Sequence, residues 1–511
     1  MKRLTLLVFL YVACSNLYGQ DTAYIHTFGG IQEDGCKQVQ PTADGGYILI
    51  GTTNSFGAGN TSFYAIKTDS LCNFEWSKCY GGQLNQEGFS VTTTLDKGYA
   101  FVGFTDSYGS GGYDVFLVKT DSSGNVQWQK TYGGTNWDFG YSVQQTPDSG
   151  FIICGVTYSY GSGDGSMYMV KTNSKGDTLW ERTAGGARYS SANAVVVWED
   201  SLYVVAGATT GYGVGGDTNA ILLEIDNKGI IKWTRVFGDS TDKVFNSVHL
   251  TPDRGFIMYG STDSLFGSTK KDSVEYEYLI KTDSLGNLVF NAPGLDPSPR
   301  NGYGSDARQL PDGSLLALGC NLSFGDGEYD FRAFHLSSAG WFIEGPTFGG
   351  PNNELSGSIA IGKNGDVILA GCSNSYPVFS CGLFDIFMVR LKYSDILPNS
   401  YDTIVYRYKD TTQYAAGIFT SSKNNVGVSI FPNPITTSAT ILIQGNEYMK
   451  YTVSLFNIHG QEVLSNYPLK YIGRGQSVAL LERGELSSGE YTYQIISNGN
   501  NKVASGKLIF E

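Results

Sequence analysis

The chain is poor in charge, histidine and proline. Of 511 residues only 16% are Asp, Glu, Lys or Arg, with four His and 14 Pro. So little charge excludes a coiled coil or long-helix protein, which draws about half its residues from Ala, Glu, Lys, Leu and Arg. A hydrophobic content of 41% equally excludes a charge-driven disordered chain. The histidines, His26, His249, His335 and His459, stand in no zinc spacing. No Gly-x-Ser-x-Gly elbow, phosphate loop or Asp-x-Asp-x-Asp-Gly calcium loop is present, and no carboxylate pair is marked out for acid/base work. No catalytic residue, metal or cofactor is therefore assigned. The 35 basic and 48 acidic residues leave a net charge of −13, which repels phosphate backbones and excludes nucleic acid as a partner. Beyond the leader no run is long and apolar enough to cross a bilayer, so no integral membrane segment is expected.

Residues 1–20 read MKRLTLLVFLYVACSNLYGQ, with two basic residues, an apolar run from Leu4 to Val12, then small and polar residues. That is the layout of a secretory signal, with cleavage expected near Gly19. A lipoprotein signal using Cys14 is the weaker reading. The mature chain keeps Cys36, Cys72, Cys79, Cys154, Cys320, Cys372 and Cys381, an odd number, so at least one thiol is unpaired or intermolecular. Cys154, Cys320 and Cys372 lie in apolar runs and read as small core residues, with a Cys372–Cys381 bridge left open.

What the chain has in abundance is glycine (66) and aromatics (34 Tyr, 28 Phe), the mark of short strands joined by tight turns. It is also repetitive. Gly-Gly pairs begin at Gly29, Gly81, Gly133 and Gly185 and return at Gly349, while Trp76, Trp128, Trp180 and Trp233 each precede such a position by five residues. Lys67-Thr68-Asp69 recurs as Lys119-Thr120-Asp121 and Lys281-Thr282-Asp283. A unit of about fifty residues is thus iterated. Its periodicity is that of strands: in the second copy, Phe89–Thr94, Tyr99–Phe104, Tyr113–Thr120 and Val126–Tyr132, here called a to d. Strand b is apolar nearly throughout, as in Phe151-Ile152-Ile153-Cys154, so both faces of its sheet must be covered. Four-stranded sheets stacked around an axis meet that need, which predicts an all-β fold, a seven-bladed propeller over residues 21–393. The seventh copy stops after its strand c at Phe387–Arg390, and Tyr24 stands five residues before Gly29, where other copies place Trp. The N-terminal strand is therefore expected to close the ring.

The repeat ends after Lys392. Residues 394–425 read as a linker with a flexible joint at Thr420–Asn425, and Tyr401–Tyr408 as a short strand within it. From Val426 to Glu511 new alternating runs predict a small β-sandwich. Four motifs occur there in order: Phe431-Pro432-Asn433-Pro434, then His459-Gly460-Gln461-Glu462-Val463, then Leu486-Ser487-Ser488-Gly489-Glu490-Tyr491, and Gly506-Lys507-Leu508-Ile509. Together they resemble the type A sorting domain of the type IX secretion system. That resemblance implies a bacterium of the Bacteroidetes, a Sec-type leader, and handling of residues 426–511 by the type IX secretion machinery. It also implies delivery through the periplasm to the cell surface or the medium. Pro432, Asn433, Pro434, Gly460, Gly489 and Tyr491 are its motif positions here. The chain ends Phe510-Glu511, where many members end in a basic residue.

The Lys-Thr-Asp-Ser-x-Gly-Asn-x-x-Trp stretch resembles the Asp-box of sialidase propellers and the Trp turns of quinoprotein blades. In both families this turn stabilises the fold, so it points to no catalysis. Asp69-Ser70-Leu71 and Asp283-Ser284-Leu285 are similar to an O-glycosylation acceptor of such bacteria, and ordinary turn chemistry explains them equally. The b–c loops and the d–a connections should emerge on one face of the ring. They carry Phe56, Tyr108, Tyr160, Tyr212, Phe266, Phe324 and Tyr376, and near the next strand a stand Asp34, Glu87, Trp137, Asp138 and Glu354. Aromatic faces beside carboxylates suit a glycan or protein ligand, and Tyr108, Trp137, Asp138, Tyr160 and Tyr212 are the candidates. Packing between blades would explain the same residues. The expectation is a monomeric, non-enzymatic binding or adhesion module, with an extracellular glycan- or protein-directed hydrolase as the alternative.

Overall fold

In the computed structural model each repeat forms a four-stranded antiparallel sheet, and no helix occurs among the described residues. The structure describes residues 8–11, 24–30, 32–199, 201–212, 218–238, 241–263, 275–293, 295, 302–321, 329–350, 352–375, 383–392, 405–406, 412–414, 427–431, 438–444, 450–457, 460–473, 476–482, 486–497 and 501–510. Gly19, Phe266, Phe324, Tyr376, Cys381, Thr420–Asn425, Pro432, Asn433, Pro434 and His459 lie outside them. The chain divides into two compact units at Asp410/Thr411, the second including residues 1–10.

In the second repeat the strands are Gln86–Thr93, Tyr99–Thr105, Asp114–Thr120 and Val126–Tyr132. Strand a begins three residues earlier than its apolar pattern suggests, because Gln86 and Glu87 already pair with Thr105 and Phe104. Strands b and c are buried from end to end, whereas strand d is largely exposed. Strand a of each sheet touches strand a of the next, and the last, Glu354–Ile361, touches the first, Asp34–Pro41. The seven a strands therefore wall a central axis, and the chain is an all-β propeller.

Its final sheet takes only three strands from its own repeat. The fourth is Tyr24–Phe28, antiparallel to Asp385–Leu391, with Tyr24 opposite Arg390 and Phe28 opposite Ile386. In the sixth sheet strand d is split into Phe342–Glu344 and Thr347–Phe348, and Val405–Tyr406 from the expected linker adds in parallel to the latter.

Every strand a carries a β-bulge at the same place, leaving Lys37, Phe89, Tyr141, Asn193, Asn246, Ser305 and Gly357 as the extra residues. The bulge frees an amide that then bonds the preceding blade. Val91 N–H donates to Gln38 Oε1 (2.7 Å), Val143 N–H to Ser90 Oγ (3.2 Å) and Ile359 N–H to Asp306 Oδ2 (2.9 Å). Irregularity in one strand thus becomes a tie between two blades.

On the opposite face the repeated Lys has a role that its sequence context did not reveal. Lys119 is buried, yet its Nζ donates to Asp96 in the a–b turn (2.8 Å), to the Thr120 carbonyl (2.8 Å) and to Gln127 (3.0 Å). Lys67–Asp44, Lys171–Asp148 and Lys281–Asp253 repeat the pair. Burial works to raise the Asp96 carboxyl, but the Lys119 and Thr94 hydrogen bonds outweigh it and hold it below the usual range. The c–d turn follows the expected design. Asp121 Oδ1 accepts the Ser123 and Asn125 amides (2.9 and 2.8 Å), and Gly124 takes φ +74°. The tryptophan packs across the blade boundary, for Trp76 lies over Gly124 of the next blade and Trp128 over Gly176.

The second unit contains two four-stranded sheets that share a core of Ile441, Val453, Leu455, Leu481, Tyr493 and Leu508, a β-sandwich. Its motif residues sit at turns: Gly460 adopts φ +75° in the hairpin closed by Asn457 and Gln461, and Gly489 opens a strand at φ +148°. The Tyr491 hydroxyl donates back to the Ser487 carbonyl (3.0 Å). Cys36, Cys72, Cys79, Cys154, Cys320 and Cys372 are free thiols, and Cys154 and Cys320 are buried.

Candidate functional site

The b–c loops and d–a connections meet on one face, and the Gly-Gly pairs are what let them meet. A Cβ on Gly133 (φ +146°) would lie 2.5 Å from both Asp114 Oδ1 and Asp138 Oδ2. The glycine is required by the two carboxylates it separates. The adjoining Gly134 makes room for Ser159 and Tyr160 of the next blade's loop.

Tyr160 packs on Tyr168 with ring centroids 5.9 Å apart and donates its hydroxyl to the Gly133 carbonyl (2.9 Å). Tyr108 lies against Phe116 (5.7 Å) in the same way one blade earlier. These half-exposed rings fasten each loop over the preceding blade. Tyr212 is also half-exposed, and its carbonyl accepts from Asn219 (3.3 Å). Asp138 is fully buried, its Oδ2 accepting the Gly134 N–H (2.8 Å) and the Ser159 hydroxyl (2.6 Å). It organises the loops from beneath. Among the described residues no ring contact joins Tyr108, Tyr160 or Tyr212 to Trp137.

Trp137 differs from all of these. It is 55% exposed and stands between Tyr113 (6.0 Å) and Tyr158 (6.5 Å). Tyr158 and the exposed Tyr189 both border Gly165. Inward, Tyr113 meets Phe104 (4.7 Å) and Phe139 (5.7 Å), Phe139 stacks with Tyr141 (6.3 Å), and Tyr141 meets Phe89 (5.4 Å). Lys37 lies over Phe89 at 5.8 Å. An aromatic band thus runs from the rim at Trp137 to the bulge residues around the axis. Burial pushes the Tyr141 hydroxyl up, so it stays neutral at physiological pH.

The repeat supplies an internal control. At the junction before the Trp137 one, the corresponding residues are Asn85, Asp106 and Thr61, and they hydrogen-bond to one another's segments. Asn85 N–H and Nδ2 donate to Asp106 (2.5 and 2.8 Å), and the Gln86 amide donates to Thr61 Oγ1 (2.9 Å). Asp242 N–H bonds Asp263 (2.8 Å) and Asn353 N–H bonds Asn374 (2.7 Å) in the same manner. Where those blades hold polar pairs, the third holds Trp137 and Tyr158. Of this band only Trp137 was flagged by sequence. Tyr113, Phe139, Tyr141, Tyr158 and Tyr189 become visible when the copies are aligned column by column and each column is searched for the copy that departs.

Comparison with known proteins adds one decisive match. Residues 429–511 match the family model of the secretion system C-terminal sorting domain. The chain therefore carries a type IX sorting domain at its C-terminus and is exported to the cell surface or extracellular space. No curated protein matches the chain in sequence. Among solved structures, puromycin hydrolase is 11% identical with a TM-score of 0.47, over 81% of this chain and 59% of that one. The Neurospora crassa Pan2 WD40 domain is 10% identical (TM-score 0.40, 69% and 88%). The propeller domain of the Pyrococcus furiosus trilobed protease is 11% identical (TM-score 0.39, 73% and 100%). Scores below one half carry no argument about activity, and the fold rests on the strand pairing itself. No helix of the described residues is long and apolar enough to cross a membrane.

Proposed function

We propose that the propeller is an extracellular binding module for glycans, presented by its sorting domain, with Trp137 as the stacking platform. One observation carries the reading: where other junctions hold a hydrogen-bonded polar pair, the third holds Trp137 with Tyr158 and the fourth holds Tyr189 beside them, an exposed aromatic patch. Stability does not require the replacement, since neighbouring junctions hold with Asn and Asp. Exposed aromatic faces accept the C–H faces of a sugar ring, while nearby polar groups fix its hydroxyls. Glu87, beside Tyr141, and the exposed Asn136, whose Nδ2 donates to the Tyr158 carbonyl (3.1 Å), are placed to do so.

The test is a glycan array followed by calorimetry on the ligands retained, with wild type and Trp137→Ala. Wild-type binding that weakens at least tenfold in the variant, about 1.4 kcal/mol, supports the assignment. A wild-type protein that retains no glycan, or a variant that binds unchanged, removes it. Release of sugar fragments during incubation would move the reading to the hydrolase alternative.

A further inference from the structure

At the Gly-Gly junctions the first residue of strand c comes against the first residue of the next strand a, across the glycine pair. In three of the junctions both residues are acids: Asp114 with Asp138, Asp330 with Glu354, and Asp385 with Asp34. All six side chains are buried. Other junctions hold neutral pairs, Ser62 with Gln86 and Ser166 with Ser190, so two acids are a choice and not a need of the fold.

The surroundings are alike in the three. In each, the strand-a acid already accepts a glycine amide and a loop hydroxyl. Asp138 Oδ2 takes the Gly134 amide and the Ser159 hydroxyl, and Asp34 Oδ2 takes the Gly30 amide (2.7 Å) and the Ser55 hydroxyl (2.7 Å). Glu354 takes the Gly350 amide (2.8 Å) and the Ser373 hydroxyl (2.6 Å). The amide-bound oxygen of the strand-a acid shares the space beside the glycine with an oxygen of the strand-c acid, Asp34 Oδ2 with Asp385 Oδ1 at Gly29 and Glu354 Oε2 with Asp330 Oδ1 at Gly349. Asp114 Oδ1 and Asp138 Oδ2 flank the same point on Gly133, and Glu354 is within hydrogen-bonding reach of Asp330. The titratable groups facing the Asp114–Asp138 pair are Tyr160 and Tyr168, with Glu181 behind them. Tyr64 and Cys79 face Asp34 with Asp385, and Cys320 and Cys372 face Glu354. Those around Asp114 and Asp138 carry no positive charge, so none of them offsets a second carboxylate charge there.

We propose that each of these pairs holds one proton between its two carboxyls, so that three joints of the ring are fastened by carboxyl-to-carboxylate hydrogen bonds. Two carboxylates facing each other in a dry site repel strongly, and a shared proton removes the repulsion. A divalent cation is the poorer occupant, because calcium takes six to eight oxygens and each pair offers two carboxyls. Burial first, and the neighbouring Asp138 charge second, push Asp114 up to about 6, and burial raises Asp34 and Glu354 as well. The folded ring then keeps protons that the unfolded chain releases near pH 4. Stability from the pairs is present at pH 4 and is lost as pH rises through the folded value.

The experiment compares wild type with Asp114→Asn and with Asp114→Asn/Asp330→Asn/Asp385→Asn by denaturant titration from pH 4 to pH 8, in the full chain. Asparagine already fills this position in the fourth blade as Asn219, and it supplies a permanent donor. Relative to wild type, the single variant should gain stability as pH rises, and the triple variant should gain about three times as much. Measuring each variant against wild type at the same pH cancels every other titrating group. Curves that run parallel across the range overturn the proposal. Independently of any variant, the wild-type infrared spectrum should show a protonated-carboxyl band at pH 5 that disappears by pH 8, and its absence at pH 5 also overturns it.

Discussion

The junction that holds Asn85 and Asp106 and the one that holds Trp137 and Tyr158 are built on the same backbone, yet their exposed surfaces are opposite in chemistry. Both keep the Gly-Gly pair, the loop serine and the aromatic that covers it, since Ser107 and Tyr108 sit on Gly82 as Ser159 and Tyr160 sit on Gly134. What the copies share is therefore what closes a blade onto its neighbour. What one copy alone changes is free to serve a ligand. In a repeat protein the recurring residues report on construction, and the departures report on use.

The largest test of the shared construction is removal of residues 21–28. The final sheet loses its outer strand, with Ile25, His26, Thr27 and Phe28 all buried in it. Thermal unfolding should shift down by roughly 5 °C or more, and an unchanged midpoint would mean that the ring does not need its N-terminal strand. A smaller effect comes from the buried lysines. Asp96→Ala should cost about 2 kcal/mol, because it leaves the buried Lys119 ammonium with only the Thr120 carbonyl and Gln127 as partners, whereas Lys119→Met should be near neutral. Equal losses in both variants would show that the pair matters for shape and not for charge. The smallest effect on stability, and the sharpest on function, is expected from Trp137→Asn with Tyr158→Asp, which writes the second junction's polar pair into the third. Its melting point should stay within about 2 °C of wild type, while glycan binding falls at least tenfold. A collapse of the fold would refute the claim that the aromatic patch is dispensable to construction.

Much of this architecture could be read from residue order alone, for definite reasons. Unbroken apolar runs such as Phe151–Cys154 permit only a sheet covered on both faces, and the missing last strand pointed to Tyr24. The sorting motifs were legible because turns constrain chemistry locally, as at Gly460 and Gly489. Other features were hidden because they join residues that no local pattern connects. Lys119 finds Asp96 only after two turns are brought to one end of the sheet. Asp114 finds Asp138 only after the chain has doubled back through strand d. The bulge in strand a left no mark, since Lys37, Phe89 and Gly357 have nothing in common beyond facing the axis. Trp137 stood out as an isolated aromatic beside an acid, but Tyr113 and Tyr158 looked like any loop tyrosine until their rings were placed against it.

The seat taken by Tyr24–Phe28 has a temporal meaning as well as a geometric one. This segment is synthesised first, yet its partner at Asp385–Leu391 arrives only when nearly the whole array has been made. Until then the growing molecule carries two unsatisfied edges, each able to recruit a stranger's strand. Closure is thus a test of completeness: only a chain that has delivered its last repeat can silence its first.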